Sequence, residues 1–351
     1  MFSKKKLNKV KIIAEIGVNH NGKISIAKKL IKIAKQSGAD YVKFQMYDCD
    51  ELITDNATKA KYQIKSMGKK ISQKVMLKKY HLKHSQLKKI YEYCLKIGIK
   101  FSASVFDEKS LENLKKFKVD FIKIPSSEIT NIFLLNKIID FKDIPIIFST
   151  GMSSISEISY FKNYLKKKKN FLIPLYCISS YPAKIEEFDI KKLLLIKKKF
   201  KILGFSDHTN SNLASIISIL NGSKIIEKHL TFNNNAEGPD HSSSLNPDNF
   251  KNFVSSIRDV EKIYNRKKII SDEKGNIKFV RKFLVAKKNI KVGDKYGYEN
   301  ITAKRTGKIG LKPSYFFKIN GKKSKKNFKR DEIIFIWEFV YLVALDQNMV
   351  Y

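Results

Sequence analysis

The sequence predicts an α/β protein, a (β/α)8 barrel followed by a small β-rich domain. Three observations carry this. Up to about Asn265, eight short apolar runs alternate with longer amphipathic stretches. Several of the short runs are continuously apolar rather than strictly alternating, as strands buried on both faces of a parallel sheet are. Beyond that point the rhythm stops, and short β-like runs with turn signals such as VGD replace it.

The strand-like runs are KIIAEIG (11–17), YVKFQ (41–45), KFSASVF (100–106), FIKIP (121–125), PIIFST (145–150), FLIPLYC (171–177), KILGFS (201–206) and KIIEKHL (224–230). Between the first two, ISIAKKLIKIAKQSG (24–38) places apolar residues at helical spacing and ends on a glycine. SQLKKIYEYCLKIGI (85–99) has the same form. SLENLKKFK, NIFLLNKII, SEISYFKNYLKKK, KKLLLIKKKFK, NLASIISIL and NPDNFKNFVSSIRDVEKIY supply further helical patterns. Eight strand-then-helix units in series point to a closed barrel. A doubly wound open sheet is the alternative, but no glycine-rich dinucleotide loop follows the first strand. The expected organisation is a catalytic barrel over 1–265, a polar linker over 266–280 and a second domain over 281–351.

With 351 residues, 43% of them hydrophobic, the chain can bury a sizeable core. Three cysteines (Cys49, Cys94, Cys177) are too few and scattered for a disulfide framework or a cysteine zinc site. They suit a reducing, cytoplasmic setting. No apolar run approaches the ~18–20 residues of a membrane helix. The basic start reaches Glu15 too soon for a signal peptide.

The formal charge of +37 suggests a binder of nucleic acid or another polyanion. Two features oppose it. Only five basic residues are arginines (Arg258, Arg266, Arg281, Arg305, Arg330), whereas readers of bases and phosphates lean on arginine forks. The lysines are spread along the whole chain, as solvated helix faces and a lysine-rich coding bias would leave them. No nucleic-acid or membrane partner is expected.

Barrel active sites lie at the C-terminal ends of the strands. Polar residues gather where each apolar run ends: Glu15 and Asn19-His20-Asn21, then Lys43 and Gln45, Ser104, Lys123 with Ser126-Ser127-Glu128, Ser149-Thr150, Cys177 with Ser179 and Tyr181, Ser206-Asp207-His208, and Glu227-Lys228-His229. Charged groups inside apolar runs are costly unless paired or bound. A single histidine would read as a hydrogen-bonded packing residue. His208 and His229 fall on adjacent strands with Asp207, Glu227 and Glu15 nearby, and together they suit a divalent metal. Lys43 and Lys123 with Ser104, Ser126 and Ser149 suit a phosphate or carboxylate. Each serine could instead cap a helix, and either lysine could form a Schiff base. His20 reads as a loop-shaping residue, His241 as close enough to the eighth strand's loop to reach substrate, and Cys177 as packing.

Taken together, AEIGVNHNG, DYVKFQ, FSASVFD, IKIPSSEITN, IIFSTGMSS, CISSYPAKIEEFDI, LGFSDHT, IIEKHLTF and GPDHSSSLNPD, in this order, resemble the sialic acid synthase family. That family comprises N-acetylneuraminate synthase and its legionaminic and pseudaminic acid relatives. VAKKNIKVGD and ITAKRTGKIG resemble its C-terminal antifreeze-like (SAF) domain. The resemblance spans about residues 10–340. It implies condensation of phosphoenolpyruvate with an open-chain N-acyl mannosamine-type sugar, giving a nine-carbon 2-keto acid and phosphate with help from Mn2+ or Mg2+. It further implies His208 and His229 as metal ligands, Glu15 in water and proton handling, and Glu227 orienting the metal shell. Lys43, Ser104, Lys123, Ser126, Ser149 and Ser179 match phosphoenolpyruvate-binding positions. Gln45, Glu128, Tyr181 and Asp240 match sugar-contacting ones. Arg305 resembles the antifreeze-like arginine that reaches a partner's site in a domain-swapped homodimer.

Three positions depart from the family pattern: Val105 and Thr306, each where a proline is commoner, and Pro125 in a loop that more often contains glycine. None removes a metal ligand or a paired lysine. N-acetylneuraminate synthesis is the leading expectation, with a legionaminic or pseudaminic acid synthase as the alternative. A Schiff-base aldolase and a polyanion binder are the competing classes.

Overall fold

The computed structural model describes residues 9–68, 71–141, 144–166, 171–264 and 271–335. Eight parallel strands close into a barrel in chain order. They are β1 (Lys11–Gly17), β2 (Tyr41–Met46), β3 (Lys100–Val105), β4 (Ile122–Ile124), β5 (Ile146–Ser149), β6 (Leu172–Cys177), β7 (Leu203–Asp207) and β8 (Ser223–His229). β1 pairs with both β2 and β8, so the sheet has no edge and the open alternative is excluded.

Side chains alternate across a strand, and both faces of this sheet are buried. Outward residues such as Ile12, Ala14, Val42 and Ala103 pack beneath the helices, whose inner faces supply groups such as Leu30, Ile31 and Ile90. Inward residues Ile13, Tyr41, Phe121, Ile147, Ile173, Leu175 and Ile225 form a separate cluster. Burying each of its large side chains contributes roughly 1.5–3 kcal/mol. Two residues further along several of the same strands stand Glu15, Lys43, Lys123, Ser149 and Glu227. The apolar plug thus lies below a polar layer at the C-terminal mouth, and its burial offsets the cost of charges held out of water.

Helix ends follow local chemistry. Asp107, Asn131 and Asp189 each accept a backbone N–H at the start of the helices Glu108–Leu114, Ile132–Ile138 and Ile190–Lys199. The helix Ile24–Ser37 stops at Gly38, whose φ of 88° suits a residue without a side chain.

Residues 46–84, where the sequence shows neither a strand-like run nor a helical pattern, contain the short helices Cys49–Leu52, Lys61–Met67 and Gln73–Tyr80. They span too few turns to develop a readable period. Val18, Tyr47, Cys49, Met76 and Tyr80 anchor the segment with their own apolar cluster.

The chain divides after Asn265 into two units. The polar stretch 266–280, read as a linker, carries a helix over Ser271–Val280. Asp272 and Glu273 complement its N-terminus, while Gly275 blunts the apolar rhythm that would have revealed it. Further on, β9 (Lys282–Ala286) and β10 (Ile301–Arg305) pair antiparallel. They pack with Ile290, Tyr296, Leu311, Ile319 and Phe328 into a small core. The basic start (1–8), the first linker residues (266–270) and the end of DEIIFIWEFV with the rest of the C-terminus (336–351) lie outside the described residues. Among the described residues, no helix is long and apolar enough to cross a membrane. Cys49, Cys94 and Cys177 are free and buried.

Candidate active site

Two lysine–serine pairs stand at the barrel mouth. The Lys43 Nζ donates to Ser104 Oγ at 2.7 Å, and the Lys123 Nζ donates to Ser149 Oγ at 2.6 Å. Ser149 therefore serves the site rather than a helix cap. Lys43 also lies 2.8 Å from the Glu15 carboxylate and 3.7 Å from Glu227, which is 4.0 Å from Lys123. Ser206 Oγ donates to Glu227 Oε1, the oxygen that faces Lys123, at 2.8 Å. All these groups are buried.

Burial sets the site's electrostatics. It pushes Glu15 up to about 7 against the pull of Lys43, with the Glu227 charge adding to the rise. Burial acts on Glu227 in the same sense, but Lys123 and Lys43 outweigh it and hold its carboxyl down at about 2. The two carboxylates are thereby differentiated: one is near its midpoint at neutral pH and the other is fixed as an anion. Burial lowers Lys123 despite Glu227. It works against the Lys43 charge too, yet Glu15 and Glu227 keep that ammonium above its ordinary value.

Ser126 and Ser179 gather around Gly151. A Cβ on Gly151 would fall 2.1 Å from Ser179 Oγ and 2.9 Å from Ser126 Oγ, so a side chain there would displace both hydroxyls. Ser126 Oγ accepts the Gly151 N–H at 3.0 Å, a bond between loops that leaves its hydroxyl hydrogen free to donate. At β1's end Gly17, with φ +52°, brings Glu15, Gln45 and Asp240 around one point, each within 3.4 Å of where its Cβ would be. Burial raises Asp240 to about 6, while His208 and Lys43 pull it down.

The His208 and His229 rings lie 5.4 Å apart between centroids, with Tyr181 packed at 4.2 Å and 6.0 Å from them. His208 Nδ1 contacts the Ile178 carbonyl at 2.6 Å, so that nitrogen carries the proton. His229 Nδ1 is buried without a hydrogen-bond partner. Burial, reinforced by His208 and Lys43, holds His229 well below the usual imidazole range and therefore neutral.

Several sequence expectations are redirected. Asp207 does not join His208. Alternation along β7 turns it away, into a 2.9 Å ion pair with Lys228, both side chains fully buried. Glu227 stands among the lysines and Ser206, and its charge also bears on His208 and His229, so its expected place beside the imidazoles stands. Glu128 is buried, and its carboxylate accepts from the Asn131 amide at 2.7 Å. His241 uses Nδ1 with Thr231 Oγ1 at 2.6 Å and Nε2 with Asn21 at 3.0 Å, so it braces its loop instead of facing substrate. His20 shapes its turn, with Nδ1 accepting the Gly22 N–H at 3.0 Å. Cys177 is more than packing, because its thiol lies 3.9 Å from His208 Nδ1. Arg305 is exposed on β10 of the second unit. Ser206 is among the polar strand-end residues of the sequence but carried no assigned role; it lies two positions before His208 and bonds Glu227. Tyr62, which stacks on Tyr181 at 4.9 Å, is the residue the sequence did not point to, because it lies where no period shows.

A closed eight-stranded barrel with this charged mouth, followed by a small β-rich unit, defines the class of (β/α)8-barrel enzymes. Residues 30–269 match the model of the NeuB family and residues 281–336 that of the SAF domain. The chain is 40% identical to N,N'-diacetyllegionaminic acid synthase of Campylobacter jejuni, covering 93% of this chain and 99% of that protein. It is 32% identical to mouse N-acetylneuraminate-9-phosphate synthase, covering 92% and 90%. The crystal structure of N-acetylneuraminic acid synthetase from Leptospira borgpetersenii superposes with a TM-score of 0.68 at 29% identity, covering 80% of this chain and 95% of that one. The protein belongs to the NeuB family, and is thus an enzyme of the sialic acid synthase type with a SAF domain.

Proposed function

We propose that the protein condenses phosphoenolpyruvate with the open-chain aldehyde of an N-acyl amino sugar. The observation that carries this is the pair of buried ammonium groups, each bonded to a serine, beside two carboxylates of different character and two adjacent imidazoles. Lys43 and Lys123 meet the charge of phosphoenolpyruvate, with hydroxyls from Ser104, Ser126, Ser149 and Ser179 as further partners. Gln45, Glu128, Tyr181 and Asp240 hold the sugar. C3 of phosphoenolpyruvate forms a bond to the aldehyde carbon as the C2–C3 double bond opens and the aldehyde π pair moves to its oxygen. Water adds at the electron-poor C2, giving a proton to Glu15, which passes it to the aldehyde oxygen as a hydroxyl. The bond between C2 and the bridging oxygen then breaks, phosphate leaves with the electron pair and takes up the C2 hydroxyl proton, and the 2-keto acid remains.

The donor set fits a divalent cation, Mn2+ or Mg2+, held by His208 and His229. His229 offers a neutral ring with a buried, unpartnered nitrogen, and the Ile178 carbonyl fixes the proton of His208 on Nδ1, leaving Nε2. Cys177 and the Ile178 carbonyl favour a protonated His208 against burial, so a cation would displace a proton there. Among the described residues no group of three or more His, Cys, Asp or Glu is arranged to hold a metal, which leaves other positions to water and substrate oxygens. When bound, the cation supplies Lewis-acid polarisation of the sugar carbonyl.

The sugar divides into two readings. The 40% identical relative carries the name of a legionaminic acid synthase, which favours a 6-deoxy diamino sugar as strongly as N-acetylmannosamine. The partner is a second copy of this chain, in a domain-swapped homodimer where Arg305 of one subunit completes the site of the other. Phosphoenolpyruvate labelled with heavy oxygen at the bridging position tests the reaction. The label is expected in released phosphate, and unlabelled phosphate would contradict cleavage at C2.

A further inference from the structure

We propose that Tyr62, on the helix Lys61–Met67, is a specificity-determining residue that forms with Tyr181 an aromatic wall beside the His208–His229 pair, against which the apolar face of the amino sugar packs. The inference rests on the proposed condensation and deepens it by naming a group that binds the sugar.

Three observations place Tyr62 there. Its ring lies 4.9 Å from that of Tyr181, nearly parallel at 28°, and Tyr181 in turn packs 4.2 Å from His208. The stack therefore runs from the β2–β3 segment to the imidazoles. Burial first, then the Asp240 charge, raises the Tyr62 phenol, so Tyr62 is electrostatically close to the carboxylate that faces Glu15 and Gln45 around Gly17. The helix carrying it is also held in place. Lys59 Nζ donates across its far end to the Gly68 carbonyl at 2.5 Å, and the Tyr80 hydroxyl contacts Met67 Sδ at 3.8 Å. Gln63 bonds the backbone N–H of Ala60 at 2.9 Å and fixes the start.

A half-buried aromatic face mounted this way suits the C–H face of a sugar, and it needs no hydroxyl for that purpose. The Tyr62 hydroxyl is met within the segment itself, by the Gln63 amide at 3.3 Å. Phosphoenolpyruvate, by contrast, is served by the lysine–serine pairs. The wall should therefore act on one substrate and not the other.

The test is the split between the two Michaelis constants in Tyr62→Phe, Tyr62→Leu and Tyr62→Ala. Tyr62→Ala should raise KM for the sugar by about tenfold or more, as expected for loss of an aromatic contact of this kind. KM for phosphoenolpyruvate should stay within about twofold. Tyr62→Phe should match the wild type. Tyr62→Leu keeps apolar bulk without a flat face and should resemble Tyr62→Ala. Hydrogen exchange over 61–67 should slow when sugar joins phosphoenolpyruvate on the wild-type protein. Equal changes in both constants, or an unchanged sugar constant in an active enzyme, would overturn the role of Tyr62 alone. A wild-type protein silent with every N-acyl amino sugar would overturn the condensation and this inference with it.

Discussion

Glu15→Gln should cost about 10²–10⁴ in kcat, the range for loss of a positioned proton acceptor. The amide keeps the shape but cannot take the proton from water. The sign of the pH dependence follows from burial, which sets Glu15 at about 7. The carboxylate is the active form and is populated above that value. Below it, kcat/KM should fall about tenfold per pH unit, and above it the profile should level. In Glu15→Gln the limb near pH 7 should vanish along with most of the rate. Mixing tests the partner at the same time. Glu15→Gln subunits exchanged with Arg305→Ala subunits should recover about a quarter of wild-type activity, because half the dimers are mixed and each mixed dimer has one intact site. Pure Arg305→Ala activity equal to wild type would remove Arg305 from the site.

Replacing His208 or His229 with alanine should lower turnover by about 10³-fold or more, the equivalent of several kcal/mol of carbonyl polarisation. Each variant should also bind Mn2+ at least about tenfold more weakly, measured without substrate by the paramagnetic signal of free Mn2+. EDTA should silence the wild type, and Mn2+ or Mg2+ should restore it. Asp207→Asn is the informative contrast. Asp207 is next to His208 in sequence but pairs with Lys228 on the other face of the sheet. Its loss should lower the melting temperature by leaving a buried ammonium without its partner charge. Mn2+ affinity should change far less than in the histidine variants.

The barrel was legible because its signal is repeated. Eight buried strands need apolar runs, and one rhythm shows through whichever residue fills each position. The polar mouth was legible for a related reason. Lys43, Lys123 and Glu227 interrupt apolar runs, and the cost of burying them makes such interruptions informative. What sequence order could not supply was facing. Asp207 and His208 are neighbours in the chain and point to opposite sides of the sheet, which only the register decides. His241 was hidden in a second way, since one nitrogen is claimed by Thr231 in its own loop and the other by Asn21 from the far end of the barrel sequence. The segment 46–84 lacked a readable pattern because its helices are short and its anchoring cluster draws on Val18, far upstream. The charge of +37 was the most prominent number and the least informative about the site, where buried lysines are matched by buried carboxylates.

Phosphate release from phosphoenolpyruvate, measured with N-acetylmannosamine and with its bis-acetamido 6-deoxy analogue, with and without Mn2+, tests the central claim most directly. Release is expected only when phosphoenolpyruvate, one of these N-acyl amino sugars and a divalent cation are all present, and the sugar that turns over decides between the neuraminate and legionaminate readings. Release that ignores the sugar, or an EDTA-resistant activity that borohydride traps on Lys123 or Lys43, would contradict it.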